Sequence, residues 1–208
     1  MERIGLGVLI SGNGTNLRAL IQAQDQEAYP ARLVGVASNR PKCPGLEVAR
    51  QAGLPERSFP QTTFSGDAEA RDQAVASWLL SQGTEILILA GYDRILTRPL
   101  LRAFPGRILN LHNSLLPAFA GTMDAVEQAL EHGVKVTGCT VHLVDEDYLD
   151  GGPIVAQAPV EVREGDTPDS LLQRIHQEEW RILPQAVALL ATGRLRVEGR
   201  KVHLEAAP

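Results

Sequence analysis

The segment IGLGVLISGNGTNLRALI, residues 4–21, decides the fold that the sequence predicts. Residues 4–10 are an apolar run of the kind found in strands buried on both faces of a sheet. A turn of glycines and small polar residues follows at 11–16, and the apolar spacing over 16–23 indicates a helix. A buried strand that enters a helix through a glycine turn is typical of the opening unit of a parallel α/β sheet.

The same alternation of short apolar runs and helical spacing continues along the chain. Residues 85–90 (EILILA) are the clearest central strand, because the run is apolar and partly β-branched. We therefore predict an α/β fold with a mostly parallel, doubly wound, Rossmann-like sheet, a long C-terminal helix and a small terminal hairpin. Further strands are predicted at 33–37, 57–59, 107–111, 134–144, 154–162, 195–197 and 201–204, and further helices at 45–52, 67–81, 124–131 and 168–190, the last capped by Asp166 or Thr167.

Charge and cysteine content exclude several classes of protein. The net charge is −5 with both signs interspersed, and the lack of a basic stripe argues against nucleic-acid binding. No apolar run of membrane-spanning length and no secretory signal is present, so we expect a cytoplasmic protein without membrane contact. Cys43 and Cys139 lack metal-type spacing, and we expect free thiols and no bound metal.

The loop at residues 11–16 (SGNGTN) has the composition of an anion site. Glycines let the backbone turn sharply, and the helix that follows presents free N–H groups and the positive end of its dipole. Neither the dinucleotide fingerprint nor the nucleoside-triphosphate loop matches, which favours a single phosphate monoester. The alternative is a structural β–α turn with an Asn or Thr cap.

A second candidate site lies where a predicted strand ends. Asn110 and His112 are two residues apart, so their side chains share one face of the strand. Histidine can transfer a proton near neutral pH, and an Asn amide can stabilise an oxyanion. We expect His112 to lie near solvent. A carboxylate to orient the imidazole is available in Asp150, with Asp145, Glu146 and Asp147 as alternatives; a hydrogen-bonded strand-end histidine without catalytic function is the competing interpretation, and for His142 that structural interpretation is preferred.

Glu179 is placed unusually in the long C-terminal helix. Steps of three and four residues put it inside the apolar stripe, between Ile175 and Ile182, whereas Glu178 lies off the stripe. A carboxylate on a core-facing stripe needs a partner. A buried salt bridge and the amino group of a ligand are equally compatible with the pattern.

Four motifs together resemble the phosphoribosylglycinamide formyltransferase family. They are GNGTNL at 12–17, LAGYDRIL at 89–96, LNLHNSLLP at 109–117 and LDGGPI at 149–154. The resemblance runs in order to about residue 197. It implies transfer of the formyl group of 10-formyltetrahydrofolate to the amine of 5′-phosphoribosylglycinamide in purine biosynthesis, by a monomer or homodimer.

The resemblance also assigns residues. Gly14, Thr15 and Asn16 would bind the substrate phosphate, and Glu179 its amine. The folate would contact Asn110 and the segment Asp93, Arg94, Ile95 and Leu96, largely through backbone atoms. Asn110 and His112 would stabilise and protonate the tetrahedral intermediate, while Asp150 would keep His112 protonated. These roles divide one domain, 1–208, into a phosphate-binding half at 1–105, a catalytic and folate-binding half at 106–192, and a hairpin and tail at 193–208.

The chain departs from the family pattern on the folate side. Asn113 replaces a usual proline, and the stretches at 122–124 and 145–150 each carry an extra residue. A folate-contacting arginine has no clear match near residue 67, and Arg71 is a doubtful substitute. Two alternatives stay open: a formyltetrahydrofolate deformylase, and a non-catalytic module that binds folate or a phosphorylated ligand.

Overall fold

The computed structural model describes residues 2–144 and 150–206. The strands are β1 (Ile4–Ile10), β2 (Ala31–Ser38), β3 (Glu56–Ser58), β4 (Ile86–Leu89), β5 (Ile108–His112), β6 (Val136–Leu143), β7 (Ile154–Glu161), β8 (Leu195–Glu198) and β9 (Lys201–Leu204). The helices are α1 (Thr15–Gln24), α2 (Pro44–Gln51), α3 (Ala68–Ser81), α4 (Arg98–Ala103), α5 (Ala125–Glu131) and α6 (Pro168–Ala191), with a 3-10 helix at Gln61–Phe64.

A seven-stranded sheet has the strand order β3-β2-β1-β4-β5-β6-β7, and β8 pairs with β9 in a separate hairpin. The chain forms two compact units, Met1–Leu109 and Asn110–Pro208. In the first unit β1 pairs in parallel with β2 and β4, and β2 pairs in parallel with β3. The core residues of β1 and β4 are buried on both faces, as the continuous apolar runs predict.

In the second unit β6 and β7 pair antiparallel, from Val136 opposite Glu161 to His142 opposite Ile154. Helix α6 packs against both strands. Thr167 begins this helix with a capping box, because its hydroxyl accepts from the Ser170 N–H while the Ser170 hydroxyl accepts from the Thr167 N–H. The cap is therefore Thr167, and Asp166 instead forms an ion pair with Arg174.

The predicted fold class is confirmed, including the long C-terminal helix and the hairpin. Each predicted strand and helix is present, with ends that shift by one or two residues. Helix α4 and the 3-10 helix were not predicted, because both are too short to show a clear helical periodicity in the sequence. The prediction of a single domain stays a prediction.

Candidate active site

The loop at residues 11–16, which the sequence predicts to bind phosphate, turns at Gly14, and Gly14 caps α1 with φ 73°. A Cβ atom added at Gly14 would lie 2.8 Å from the Cα atom of Gly45 at the start of α2. The Gly45 N–H and the Cys43 thiol both donate to the Gly12 carbonyl over 3.1 Å. The backbone conformation and this close approach explain why glycine occupies position 14. A glycine cap offers no side-chain acceptor to the first turn, which leaves that role to water or an anion.

The side chain of Ser11 points away from the N-terminus of α1, into a group that we call the Asp93 cluster: Ser11, Asn39, Arg40 and Asp93. The Ser11 hydroxyl lies 2.6 Å from Asn39 Oδ1 and 3.0 Å from Asp93 Oδ1, and it accepts from the Asp93 N–H over 3.0 Å. Asn39 Nδ2 donates to Asp93 Oδ1 over 2.7 Å, and Arg40 pairs with Asp93 Oδ2.

Hydrogen bonds keep the Asp93 carboxylate ionised. Burial alone would raise its pKa, but hydrogen bonds from Asn39, Ser11 and Arg40, with the Arg40 charge, bring the pKa below its usual value. The carboxylate is therefore already bonded within the protein. Of the predicted folate-binding segment, Arg94 and Ile95 extend into solvent, and Ile95 is 71% exposed.

A second carboxylate fixes the far end of that segment. Asp72 is fully buried in α3 and accepts from both the N–H and the hydroxyl of Thr97 over 2.8 Å. Arg71 directs its guanidinium to Asp72 and to Gln61. Arg71 is buried, and its guanidinium bonds within the protein rather than extending to the surface.

In the second unit, Asn110, His112, His142 and Asp150 form what we call the Asp150 cluster. Asp150 Oδ1 accepts from Asn110 Nδ2 over 3.1 Å and lies 3.5 Å from His142 Nε2. Asp150 Oδ2 lies 3.5 Å from His112 Nδ1 and accepts from the Gly121 N–H over 2.9 Å. The structure thus brings the three predicted catalytic residues together, with Asn110 and His112 both at the Asp150 carboxylate. The alternative carboxylates, Asp145, Glu146 and Asp147, lie outside the described residues.

His112 is only 7% exposed, so the expectation that it lies near solvent is wrong. The chain that follows β5 folds back over the ring, and His112 Nε2 lies 2.9 Å from the Phe119 carbonyl oxygen. A carbonyl only accepts, so Nε2 carries a proton, and Nδ1 faces the Asp150 carboxylate. Both ring nitrogens therefore face oxygen atoms that can accept a hydrogen bond.

His142 belongs to the same cluster, although the sequence favoured a purely structural role. Its Nδ1 lies 2.9 Å from the Leu143 carbonyl, so Nδ1 carries a proton, and its Nε2 lies 3.1 Å from Asn110 Nδ2. The two N–H groups of the Asn110 amide are directed to Asp150 and His142. The amide oxygen of Asn110 consequently points away from both.

Asp150 is ionised in this setting. Burial acts to raise its pKa, but the close approach of the His142 ring, the hydrogen bond from the Gly121 N–H and the electrostatic attraction of His112 bring the pKa below its usual value. Its backbone lies in the left-handed region, with φ 52°, which aspartate tolerates better than most residues. An ionised carboxylate beside two imidazoles and an amide can orient these groups and is chemically suited to proton transfer.

A model of the formyl transferase family matches residues 6–187. The chain belongs to the formyl transferase family. Phosphoribosylglycinamide formyltransferase of Haemophilus influenzae is 38% identical over 96% of this chain and 93% of that protein. The crystal structure of glycinamide ribonucleotide transformylase 1 from Symbiobacterium toebii has a TM-score of 0.93 at 48% identity and covers 97% of this chain and 94% of that one. The predicted resemblance is confirmed.

Other similar proteins differ in length or in identity. Trifunctional purine biosynthetic protein adenosine-3 of Bos taurus is 43% identical over 94% of this chain, which spans only 19% of that protein. A formyltetrahydrofolate deformylase from Pseudomonas syringae shares the fold with a TM-score of 0.88 at 24% identity, and this chain covers 66% of it. At that identity the likeness extends to the fold alone.

Glu179 of this formyl transferase family member is 1% exposed on α6, in the stripe where the sequence placed it. His176 Nε2 lies 3.9 Å from its carboxylate. Burial raises the pKa of the Cys139 thiol in β6 to about 12, and the nearby charge of Glu179 adds to this shift. Glu178 pairs with Arg181 on the outer side of the helix.

The described residues also bear on metals and membranes. Within 2–144 and 150–206, His, Cys, Asp and Glu side chains form no group of three or more that could hold a metal ion. Over the same residues, no helix has the length and apolar character needed to cross a membrane. Cys43 and Cys139 are both free thiols, as expected.

Proposed function

We propose that this chain transfers the formyl group of 10-formyltetrahydrofolate to the amine of 5′-phosphoribosylglycinamide, a step of purine biosynthesis. The observation that carries the proposal is the Asp150 cluster, in which one ionised carboxylate contacts both Asn110 and His112 in a chain of the formyl transferase family. The choice of substrate follows two relatives, the phosphoribosylglycinamide formyltransferase of Haemophilus influenzae and the glycinamide ribonucleotide transformylase of Symbiobacterium toebii.

The reaction begins when the amine nitrogen of the glycinamide attacks the formyl carbon. The carbon–nitrogen bond forms while the carbonyl electrons move to oxygen, which gives a tetrahedral oxyanion. The amine then loses a proton, the bond from the carbon to N10 of the folate breaks, and N10 takes up a proton. The products are the formylated glycinamide and tetrahydrofolate, so atoms and charge balance without a further reagent.

In this scheme His112 is the proton donor, and its Nε2–H faces the reacting atoms. Nδ1 is turned to Asp150, whose negative charge stabilises the imidazolium. The Phe119 carbonyl now accepts from Nε2, and we infer that the substrate displaces this contact when it binds. Asn110 supplies an amide N–H to the oxyanion by giving up one of its two acceptors, His142 or Asp150.

Binding roles follow in each unit. We assign the phosphate to Gly14, Thr15 and Asn16, whose support is a glycine cap at a helix N-terminus. We assign folate contacts to Asn110 and to the segment from Asp93 through Arg94 and Ile95 to Leu96, and the substrate amine to Glu179.

One assay separates this function from its alternatives. The protein is mixed with 10-formyltetrahydrofolate, with and without 5′-phosphoribosylglycinamide, and formylated product and tetrahydrofolate are measured separately. Product that requires the amine and disappears in His112→Ala supports the proposal. Release of formate without the amine identifies a deformylase. Binding of both ligands without turnover in the unmutated protein identifies a non-catalytic module and contradicts the proposal.

A further inference from the structure

We propose that the side chain of Asp93 is a positioning residue that holds the phosphate loop and the folate-binding segment in one fixed arrangement. The inference rests on the proposed function, and it gives this side chain a role distinct from the folate contact expected of the backbone at the same position. It concerns only residues of the first unit.

The Asp93 cluster lies in the loops that follow three strands. Ser11 follows β1, Asn39 and Arg40 follow β2, and Asp93 follows β4. In a parallel sheet these carboxyl-end loops are where ligands bind. A single carboxylate contacts residues of all three segments: Oδ1 accepts from Asn39 and Ser11, and Oδ2 pairs with Arg40.

Ser11 and the segment at residues 91–93 each donate a backbone N–H to the other. The Asp93 N–H donates to the Ser11 hydroxyl over 3.0 Å, and the Ser11 N–H donates to the Gly91 carbonyl over 3.1 Å. The phosphate loop is thus bonded at its first residue to the segment that begins the folate-binding stretch. Ser11 and Asn39 are both buried, so losing the shared acceptor leaves polar groups that water cannot easily satisfy.

The negative charge of Asp93 also contributes to the Asp93 cluster. Asp93 accepts from the Asn39 amide and pairs with the Arg40 guanidinium, with the Ser11 hydroxyl 3.0 Å away and the Arg94 Nε 3.6 Å away as a second cation. An amide at this position could still accept from Ser11 or Asn39, but it would place an N–H group or an uncharged oxygen against Arg40. We therefore expect the cluster to need an ionised carboxylate rather than only an acceptor of the same shape.

Asp72 fixes the other end of the folate-binding segment. It holds Thr97, just beyond Leu96, through two hydrogen bonds of 2.8 Å. The folate-binding segment is therefore fixed at both ends by buried or half-buried carboxylates, and the exposed residues Arg94 and Ile95 lie between them. The end held by Asp93 is the one bonded to the phosphate loop, through Asp93 itself and through the Gly91 carbonyl, so loss of the Asp93 side chain weakens the link between the two segments.

The test compares Asp93→Ala and Asp93→Asn with the unmutated protein and with Glu47→Gln. Glu47 is a suitable control because it also pairs with an arginine, Arg50, but lies exposed on α2. Steady-state kinetics give the KM of each substrate and kcat, and hydrogen exchange by mass spectrometry follows the backbone amides of residues 11–16. For Asp93→Ala we expect both KM values to rise about tenfold, because the buried Asn39 amide loses its acceptor and both ligand-binding segments lose a shared contact. Exchange at residues 11–16 should become faster in Asp93→Ala. The KM values and exchange rates of Asp93→Asn should lie between those of Asp93→Ala and those of the unmutated protein.

The outcomes are distinct. A rise in both KM values with faster exchange at 11–16 supports the proposal, whereas a lower melting temperature with unchanged KM values overturns it and leaves a structural role only. Unchanged exchange at 11–16 in Asp93→Ala overturns it as well. If the unmutated protein shows no amine-dependent transfer, the proposed function fails, while the exchange experiment, which needs no substrate, still decides whether Asp93 holds the phosphate loop.

Discussion

The Nδ1 atom of His112 lies 3.5 Å from the Oδ2 atom of Asp150. The same oxygen accepts from the Gly121 N–H, so the carboxylate is held on one side by backbone and faces the imidazole on the other. Because Asp150 is ionised and almost buried, its charge acts on the ring through little intervening water. This contact orients the His112 ring and places a negative charge beside it.

Loss of the imidazole should remove proton transfer while binding persists. We expect His112→Ala to lower kcat by about 10² to 10⁴, the usual contribution of a positioned acid or base, with smaller changes in the two KM values. Asp150→Asn should also lower kcat, because the His112 ring loses the negative charge of the Asp150 carboxylate that orients it. The measurement is steady-state kinetics, and His203→Ala in the terminal hairpin is the control. Equal kcat in His112→Ala and His203→Ala would rule out the assigned role.

Asp150 should also make stability depend on pH. Its pKa is lowered from 3.8 in the folded protein, so the folded state favours the carboxylate more than the unfolded chain does. The stabilisation is complete at pH values above 3.8 and is lost as the pH falls through the lowered folded value. The free energy of unfolding, measured by denaturant titration, should therefore differ most between the unmutated protein and Asp150→Asn near neutral pH. That difference should narrow in acid, and a constant difference would contradict the prediction.

Much of the fold followed from apolar periodicity. The runs in β1 and β4 are continuous because both faces of these strands are buried, and such runs predict central strands reliably. The antiparallel pairing of β6 and β7 did not follow, since residue pattern does not fix the direction of a neighbouring strand. Helix α4 was missed because its six residues are too few to show a period.

The candidate sites were only partly predictable, for a physical reason. A period of two predicted that Asn110 and His112 share a face, and both do approach Asp150. Strand order is not encoded in that period, so the contact of His142 with Asn110 could not be foreseen. Asn39 carried a usable signal, because it is a polar residue directly after an apolar strand, the same feature that drew attention to Asn110. The burial of His112 depends on the loop that folds over it, which local sequence does not specify.

Substitution of Gly14 should lower stability for two separate reasons. A side chain at φ 73° is strained by about 1 to 2 kcal/mol, and its Cβ would also meet the Gly45 Cα atom at 2.8 Å. Gly53 is the matched control, because its φ of 68° is similar but no atom lies within 4 Å of an added Cβ. Thermal unfolding should show a larger loss for Gly14→Ala than for Gly53→Ala. Calorimetry should show that Gly14→Ala alone weakens binding of the phosphorylated substrate more than binding of folate, and equal behaviour of the two variants would contradict the assignment.

Substitution of Glu179 tests whether its carboxylate binds the substrate or is a buried structural charge. If its carboxylate binds the substrate amine, Glu179→Gln keeps the shape but loses the charge. The KM for the glycinamide substrate should then rise about tenfold or more, while the KM for the folate changes little. Glu178→Gln, one residue along the same helix and paired with Arg181 outside the stripe, should behave like the unmutated protein. A purely structural charge would instead change the free energy of unfolding and leave the ratio of the two KM values untouched. Measuring both quantities for both variants therefore separates the two interpretations that the sequence left open, because only binding to the amine can make the effect specific to one substrate.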